Sequence, residues 1–213
     1  IDWTSRDREP SALGGDTDAS DIDRIWSKDE NHGGSDLITT GEGNDIIIAG
    51  EDGENINEAN IHLPDGQDRV ATNDDIERTT DGDVVVAGNG NNIVLGDNGF
   101  ITSALIGAPQ YAGLSITLGL VESGDSLIGG ADSITTGVGS DIIIGGIDGD
   151  TIIANSTEAV GRPDGNNIII GDSGLIDWTS REREPNALGG DMDASDIDRI
   201  WSKDENHGGS DLI

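Results

Sequence analysis

Short apolar runs recur along the chain, each bounded by glycine and by acidic or amide residues. Examples are Ile46-Ile47-Ile48, Val84-Val85-Val86, Ile142-Ile143-Ile144 and Ile168-Ile169-Ile170. Runs of β-branched residues this short, enclosed by turn formers, are typical of buried strands. The chain has no long stretch of 3.6-residue periodicity, so the pattern predicts an all-β protein with little or no helix.

The finest repeat in this pattern is nine residues long. An acidic or amide residue recurs every nine positions, and a large aliphatic residue follows it by two. The polar positions are Asp36, Asp45 and Glu54, then Asp83 and Asn92, then Asp132, Asp141 and Asp150. The consensus reads x-G-x-G-x-D-x-U-x, where U is aliphatic and is expected to point inward and stack on its copies.

A second repeat is much longer. Residues 1–38 return as 176–213, with differences only at Asp7/Glu182, Ser11/Asn186 and Thr17/Met192, which gives a period of 175 residues. We therefore expect residues 1–38 to be the end part of one unit and 39–213 to be one full unit, in a fragment of a longer tandem array.

Each unit contains two related halves, about 33–128 and 129–213. "GGSDLITTGEGNDIII" in the first half matches "GGADSITTGVGSDIII" in the second. Between the nonapeptides, segments 99–131 and 174–210 are expected to form longer strands or hairpins.

Composition changes this picture in one respect, which is charge. Asp and Glu number 43 against 11 Lys and Arg, a net charge of -32, and aromatic residues make up only 3% of the chain. Such a composition is typical of disorder, so a chain with clear strand signals is expected to need cations to fold. The charge argues against nucleic-acid binding and anionic lipid, and no apolar run is long enough for membrane insertion.

The nonapeptides resemble RTX, or hemolysin-type, calcium-binding repeats. The best copies are "TGEGNDIII" (40–48), "AGNGNNIVL" (87–95) and "TGVGSDIII" (136–144). The resemblance implies a parallel β-roll, a form of β-solenoid, in which two nonapeptides make one coil and several Ca²⁺ ions lie between successive turns. Glycines permit the positive φ of a tight turn, and carboxylates supply the hard oxygens that Ca²⁺ prefers.

The resemblance also implies a set of metal ligands and turn glycines. They are Asp36, Gly41, Gly43, Asp45, Gly50, Asp52, Glu54, Asp83, Gly88, Gly90, Asn92, Asp132, Gly137, Gly139, Asp141, Gly146, Asp148, Asp150, Asn167 and Asp211. On this geometry Asp132 and Asp150 share one edge of the roll and Asp141 lies at the other. Asp36 and Glu54 repeat that relation, with Asp45 opposite.

A separate acidic loop is similar to the start of an EF-hand loop. Its candidate metal ligands are Asp16, Asp18 and Asp23, repeated as Asp191, Asp193 and Asp198. Asp21 stands where an EF-hand has glycine, which leaves two interpretations open. One is a calcium site; the other is a solvated acidic loop that caps the following strand.

Tryptophan and basic residues concentrate in the segment that is duplicated at the two ends of the chain. Trp3, Trp26, Trp178 and Trp201 all lie there, with eight of the eleven basic residues. This segment is either a small satellite core with salt bridges or a contact face for a neighbouring unit or a glycan.

These observations predict a structural protein rather than an enzyme, because an active site is not needed in near-identical tandem copies. We expect a calcium-stabilised repeat of a very large extracellular protein on a bacterial cell surface. It would act as an extender or filament that folds on binding calcium, contacts neighbouring units and self-assembles into a fibre. The alternative is an adhesin module that binds a glycan or another surface through the Trp/Arg segment.

Overall fold

The computed structural model describes residues 1–3, 20–28, 33–50, 82–104, 108–124, 129–180, 190–191, 193–203 and 208–213. Its strands are β1 Arg24–Trp26, β2 Leu37–Thr39, β3 Ile46–Ile48, β4 Val84–Val86, β5 Ile93–Leu95, β6 Gly99–Thr102, β7 Leu120–Ser123, β8 Ser133–Thr135, β9 Ile142–Gly146, β10 Thr151–Ile153, β11 Ile168–Asp172, β12 Gly174–Asp177 and β13 Arg199–Ser202. A short 3-10 helix spans Tyr111–Gly113. The prediction of an all-β protein is confirmed, and none of the described helical structure is long and apolar enough to span a membrane.

Eight of the strands form two parallel four-stranded sheets. The outer parallel sheet has the order β10-β8-β4-β2, and the inner parallel sheet has the order β11-β9-β5-β3. Chain order alternates between them, so that β2 leads to β3, β4 to β5, β8 to β9 and β10 to β11. The result is four strand pairs stacked in register, with the halves of the unit contributing two pairs each.

The aliphatic positions of the nonapeptides fill the space between these two sheets. One row contains Ile38, Val85, Ile134 and Ile152, and the facing row contains Ile47, Val94, Ile143 and Ile169. The expected inward stacking is therefore confirmed for these residues, while Ile56 lies outside the described ranges. Burial of such side chains contributes roughly 1.5–3 kcal/mol each.

The remaining strands form a five-stranded antiparallel sheet, β1-β6-β7-β12-β13. Ile101, Val121 and Ile176 point from this sheet onto the far face of the inner parallel sheet, against Ile93 and Ile142. The segments between nonapeptides do form strands, as expected, but the sequence did not predict that they join in one covering sheet. The inner sheet is thus buried on both faces, which explains its uninterrupted apolar runs.

The boundary between consecutive 175-residue units lies inside the sheets. Residues 208–213 repeat 33–38, and Leu212 forms a parallel bridge with Thr151 of β10. At the other end, Asp2 bridges Arg24 as Asp177 pairs with Arg199 one period later. Both copies of the repeated segment therefore take part in the outer parallel sheet and the antiparallel sheet.

Candidate functional site

Polar residues stand directly before the strands of both parallel sheets and form two columns on opposite edges. Because the strands are in register, equivalent residues of successive strand pairs lie about 4.8 Å apart. We call one column the aspartate edge; it contains Asp36, Asp83, Asp132, Asp150 and Asp211. We call the other the amide edge; it contains Asp45, Asn92, Asp141 and Asn167.

The aspartate edge is a continuous ladder of side chain to backbone hydrogen bonds. Each Oδ1 accepts the backbone N–H of the equivalent residue in the preceding strand pair. The N···O distances are 2.5 Å for Asp36 to Asp83, 2.7 Å for Asp83 to Asp132, 2.8 Å for Asp132 to Asp150 and 3.0 Å for Asp150 to Asp211. The predicted relation between Asp132 and Asp150 is confirmed, and the ladder ends at Asp211, the equivalent of Asp36 one period later.

Two aspartates that the sequence analysis did not select lie against this ladder. Asp97 accepts hydrogen bonds from the backbone N–H groups of Gly130 (3.1 Å) and Ile147 (2.6 Å), and Asp172 accepts one from Gly209 (3.0 Å). Both belong to Gly-Asp-x-Gly turns that follow strands of the inner sheet. The recurrence of this turn sequence after β5 and at the end of β11 is the sequence feature that could have identified both aspartates.

Glycine is required where these turns meet the ladder. A Cβ added at Gly96 would collide with the carboxylate of Asp132 and the carbonyl of Gly145. A Cβ at Gly145 would collide in the same way with Asp150 and the carbonyl of Gly171. Carboxylate and carbonyl oxygens therefore approach the same point in successive strand pairs.

The aspartate edge concentrates negative charge that its hydrogen bonds do not offset. Burial, with further contributions from Asp211, Asp172 and Asp148, raises the pKa of Asp150 to about 8. Burial and the charge of Asp132 raise the pKa of Asp97 well above its ordinary value. Asp150 is only 1% exposed, and its Oδ2 has no hydrogen-bond partner among the described residues.

The amide edge lies where tight turns connect the outer sheet to the inner one. Gly43 and Gly90 in these turns adopt φ of 139° and 142°. Gly50 and Gly146, which lie at or just after the ends of inner-sheet strands on the aspartate edge, adopt 115° and 130°, and all four values lie in the region that favours glycine. A Cβ at Gly90 would strike the carbonyl of Gly43, so adjacent turns are in direct backbone contact. The further predicted turn glycines of this edge are Gly41, Gly88, Gly137 and Gly139.

Asp141 on this edge differs from Asp150 in having donors for both oxygens. Its Oδ2 accepts a hydrogen bond from Thr136 Oγ1 at 2.6 Å, and its Oδ1 accepts bonds from the backbone and side chain of Asn92. Burial raises the pKa of Asp141, and these hydrogen bonds act in the opposite direction.

In the EF-hand-like loop, the carboxylates accept hydrogen bonds from backbone N–H groups of the same loop. Asp198 Oδ1 accepts the N–H of Asp191 at 2.9 Å, Asp191 accepts that of Asp193, and Asp193 accepts that of Ser195. The hydrogen bond from Ser195 lowers the pKa of Asp193. In the earlier copy of the loop Asp23 is buried and its backbone bonds Asp2 and Ser103. The predicted ligands Asp16, Asp18, Asp52 and Glu54 lie outside the described residues.

The Trp/Arg segment contains ion pairs that recur with the 175-residue period. Arg24 contacts Asp2 at 3.0 Å, and Arg199 contacts Asp177 at 2.8 Å. Both carboxylates are buried, so these pairs hold the strands of the antiparallel sheet together.

Within the described ranges, no three acidic or histidine side chains lie close enough together to form a metal centre as they stand. The aspartate edge instead offers single carboxylates and turn carbonyls from successive strand pairs. No protein-family model, no curated protein and no solved structure matches this chain.

Proposed function

We propose that this chain is a calcium-stabilised structural repeat of RTX type, a β-solenoid that completes its folding when it binds several Ca²⁺ ions. One observation carries the proposal: a ladder of aspartates, buried at its centre, runs from Asp36 to Asp211 and crosses the boundary between units. Carboxylates stacked at strand spacing repel one another, and a cation between them removes the repulsion.

The oxygen atoms on the aspartate edge are of the type that Ca²⁺ binds. They are hard oxygens only, from Asp132, Asp150, Asp97 and Asp172 and from turn carbonyls, and Ca²⁺ accepts six to eight such ligands in flexible geometry. The Oδ2 of Asp150 is buried without a hydrogen-bond donor, which is the condition a cation would relieve. The ion would supply charge neutralisation alone, and we propose no catalytic role.

Continuity between units supports a filament rather than a string of separate domains. Ile200 of β13 lies in the same inward-facing row as Ile176, yet it is 54% exposed. Its equivalent one period earlier, Ile25, packs against the core. The following unit would cover Ile200 as the cluster that includes β3 and β5 of the inner sheet covers Ile25.

Ion-coupled folding explains how a chain of net charge -32 could be made in one compartment and condense in another. Binding that favours only the folded state adds about 2.7 kcal/mol per site at a hundredfold excess of free ion over Kd. We therefore place the protein outside the cell, on a bacterial surface, where calcium is abundant, as an extender or fibre.

The test is a calcium titration of the EDTA-treated chain, followed by far-UV circular dichroism, with Mg²⁺ as the control. We expect β-structure to increase with Ca²⁺ and to respond far less to Mg²⁺, which keeps its water and demands octahedral geometry. Full β-structure in EDTA, unchanged by Ca²⁺, would contradict the proposal.

A second candidate is glycan binding by the antiparallel sheet. Trp26 and Trp201 are exposed on its outer face, and the Arg24 guanidinium lies 5.7 Å from the centre of the Trp26 ring. Exposed aromatic faces can stack on sugar rings, and binding of the calcium-loaded chain to a glycan array would favour this role.

A further inference from the structure

The two edges of the stack carry different side chains at equivalent positions. The aspartate edge has an acid at every step, whereas the amide edge alternates Asp45, Asn92, Asp141 and Asn167. Both edges make the same backbone contact. Asp45 donates to Asn92 Oδ1 at 3.1 Å, Asn92 to Asp141 Oδ1 at 2.8 Å and Asp141 to Asn167 Oδ1 at 2.8 Å.

The amide nitrogen of Asn92 lies among oxygens that could otherwise surround a cation. Its Nδ2 is 3.2 Å from the carbonyl of Gly88, 3.3 Å from the carbonyl of Gly90 and 3.0 Å from Asp141 Oδ1. Asn92 is completely buried. Two turn carbonyls and a carboxylate therefore converge on an N–H₂ group, which donates hydrogen bonds without carrying a net charge.

Asn167 repeats this arrangement two strand pairs below Asn92. Its Nδ2 donates to the carbonyl of Ala154 at 3.2 Å and to Asp164 Oδ2 at 2.7 Å. Asp45, at the outer end of the ladder, is the acid that Asn167 of a preceding unit would meet. Its Oδ2 is buried and has no hydrogen-bond partner among the described residues, so this outermost step differs from Asp141.

We infer that the amides of Asn92 and Asn167 take the place of a cation on the amide edge, so that the calcium requirement falls on the aspartate edge. The inference rests on the proposed calcium-coupled function and refines it. Asp141 has protein donors on both oxygens, whereas Asp150 has a buried Oδ2 without one. From Asn92 to Asn167 the amide edge can therefore form from the chain alone, whereas the aspartate edge at Asp150 needs an ion.

The test is Asn92→Asp, which replaces the amide donor by a carboxylate next to Asp141. We expect this variant to lose β-structure in EDTA and to bind one more Ca²⁺ per chain, measured by isothermal titration calorimetry. The matched control is Asn166→Asp, which adds the same charge on the same edge at an exposed side chain; it should bind the same number of ions as the parent chain.

The outcomes separate this inference from the proposed function. An Asn92→Asp chain with no additional ion and no greater calcium dependence than Asn166→Asp overturns the inference, even if the parent binds calcium. A parent that binds no calcium overturns the proposed function, even if Asn92→Asp gains an ion. If Asn92→Asp does not fold at any calcium concentration, the Asp150→Asn variant tests the inference instead. Binding of one ion fewer, together with more β-structure in the calcium-free chain, supports the inference. An unchanged number of bound ions overturns it.

Discussion

At the scale of single residues, the position before each strand separates two roles of an aspartate. The Oδ1 atom accepts a backbone N–H and fixes the register between strand pairs, a role that asparagine fulfils equally well at Asn92. The second oxygen, Oδ2, adds negative charge. At Asp141 this oxygen accepts a hydrogen bond from Thr136, and at Asp150 it has no donor among the described residues. The nine-residue spacing predicts which residues stack, but the fate of each oxygen depends on neighbours distant in sequence.

The carboxyl of Asp150 should make the calcium-free chain more stable at acidic pH than at pH 8. Its pKa is about 8 in the folded chain against an ordinary value of 3.8, so the folded state holds a proton that the unfolded state has lost. Stability from this group is full below about pH 4 and falls as the pH rises toward 8. Urea unfolding in EDTA at pH 5 and pH 8 measures this loss.

Asp150→Asn is the comparison for this measurement, because it keeps the acceptor and removes the titrating group. The loss of stability between the two pH values should be smaller in this variant. An equal loss in both chains would mean that Asp150 does not account for the pH dependence.

At the scale of strands, the two parallel sheets differ in how far their residues are buried. The two central strands of the inner sheet, Ile93–Leu95 and Ile142–Gly146, are buried throughout because two other sheets cover them. Strands of the outer sheet, such as Val84–Val86, bury only the central residue and expose the flanking ones. The run Val84-Val85-Val86 shows that a continuous apolar run does not by itself indicate burial on both faces, and the sequence alone did not identify the second covering layer.

Two adjacent isoleucines of β10 test this arrangement. Ile152 is 2% exposed between the parallel sheets, and Ile153 is 46% exposed on the outer face. In saturating calcium, Ile152→Ala should lower the free energy of unfolding by about 2–5 kcal/mol, because it leaves a cavity in the aliphatic row. Ile153→Ala should change it by no more than roughly 0.5 kcal/mol. Similar costs for both variants in urea unfolding would contradict the assigned faces.

At the scale of the whole molecule, the described residues form a stack of four strand pairs, which neighbouring units would extend in the proposed array. The hydrogen bond from Asp150 to Asp211 and the bridge from Thr151 to Leu212 repeat the contacts found inside the unit. In the proposed array, consecutive units would share all three sheets and have no flexible linker between them.

The length added per unit follows from this continuity. Four strand pairs at about 4.8 Å give a rise of roughly 19 Å for each added copy of residues 39–213. A separate globule of the same size would add about 40 Å. Small-angle X-ray scattering of the calcium-loaded chain, extended by one and by two copies, measures the increment. An increment near the larger value would indicate separate domains.

The sequence by itself determined the strands, their nine-residue phase and the columns of acids, because local turn chemistry and alternating burial act over a few residues. The stacking of Asp132 on Asp150 follows from an 18-residue offset, which is two nonapeptides. Only the tertiary structure decided that Asp83 follows Asp36, that Asp97 and Asp172 join the aspartate edge and that Asn92 meets Asp141. These contacts join residues 33 to 49 positions apart, through connections whose paths no local pattern encodes. Burial, which raises the pKa of Asp150, exists only when the sheets are assembled.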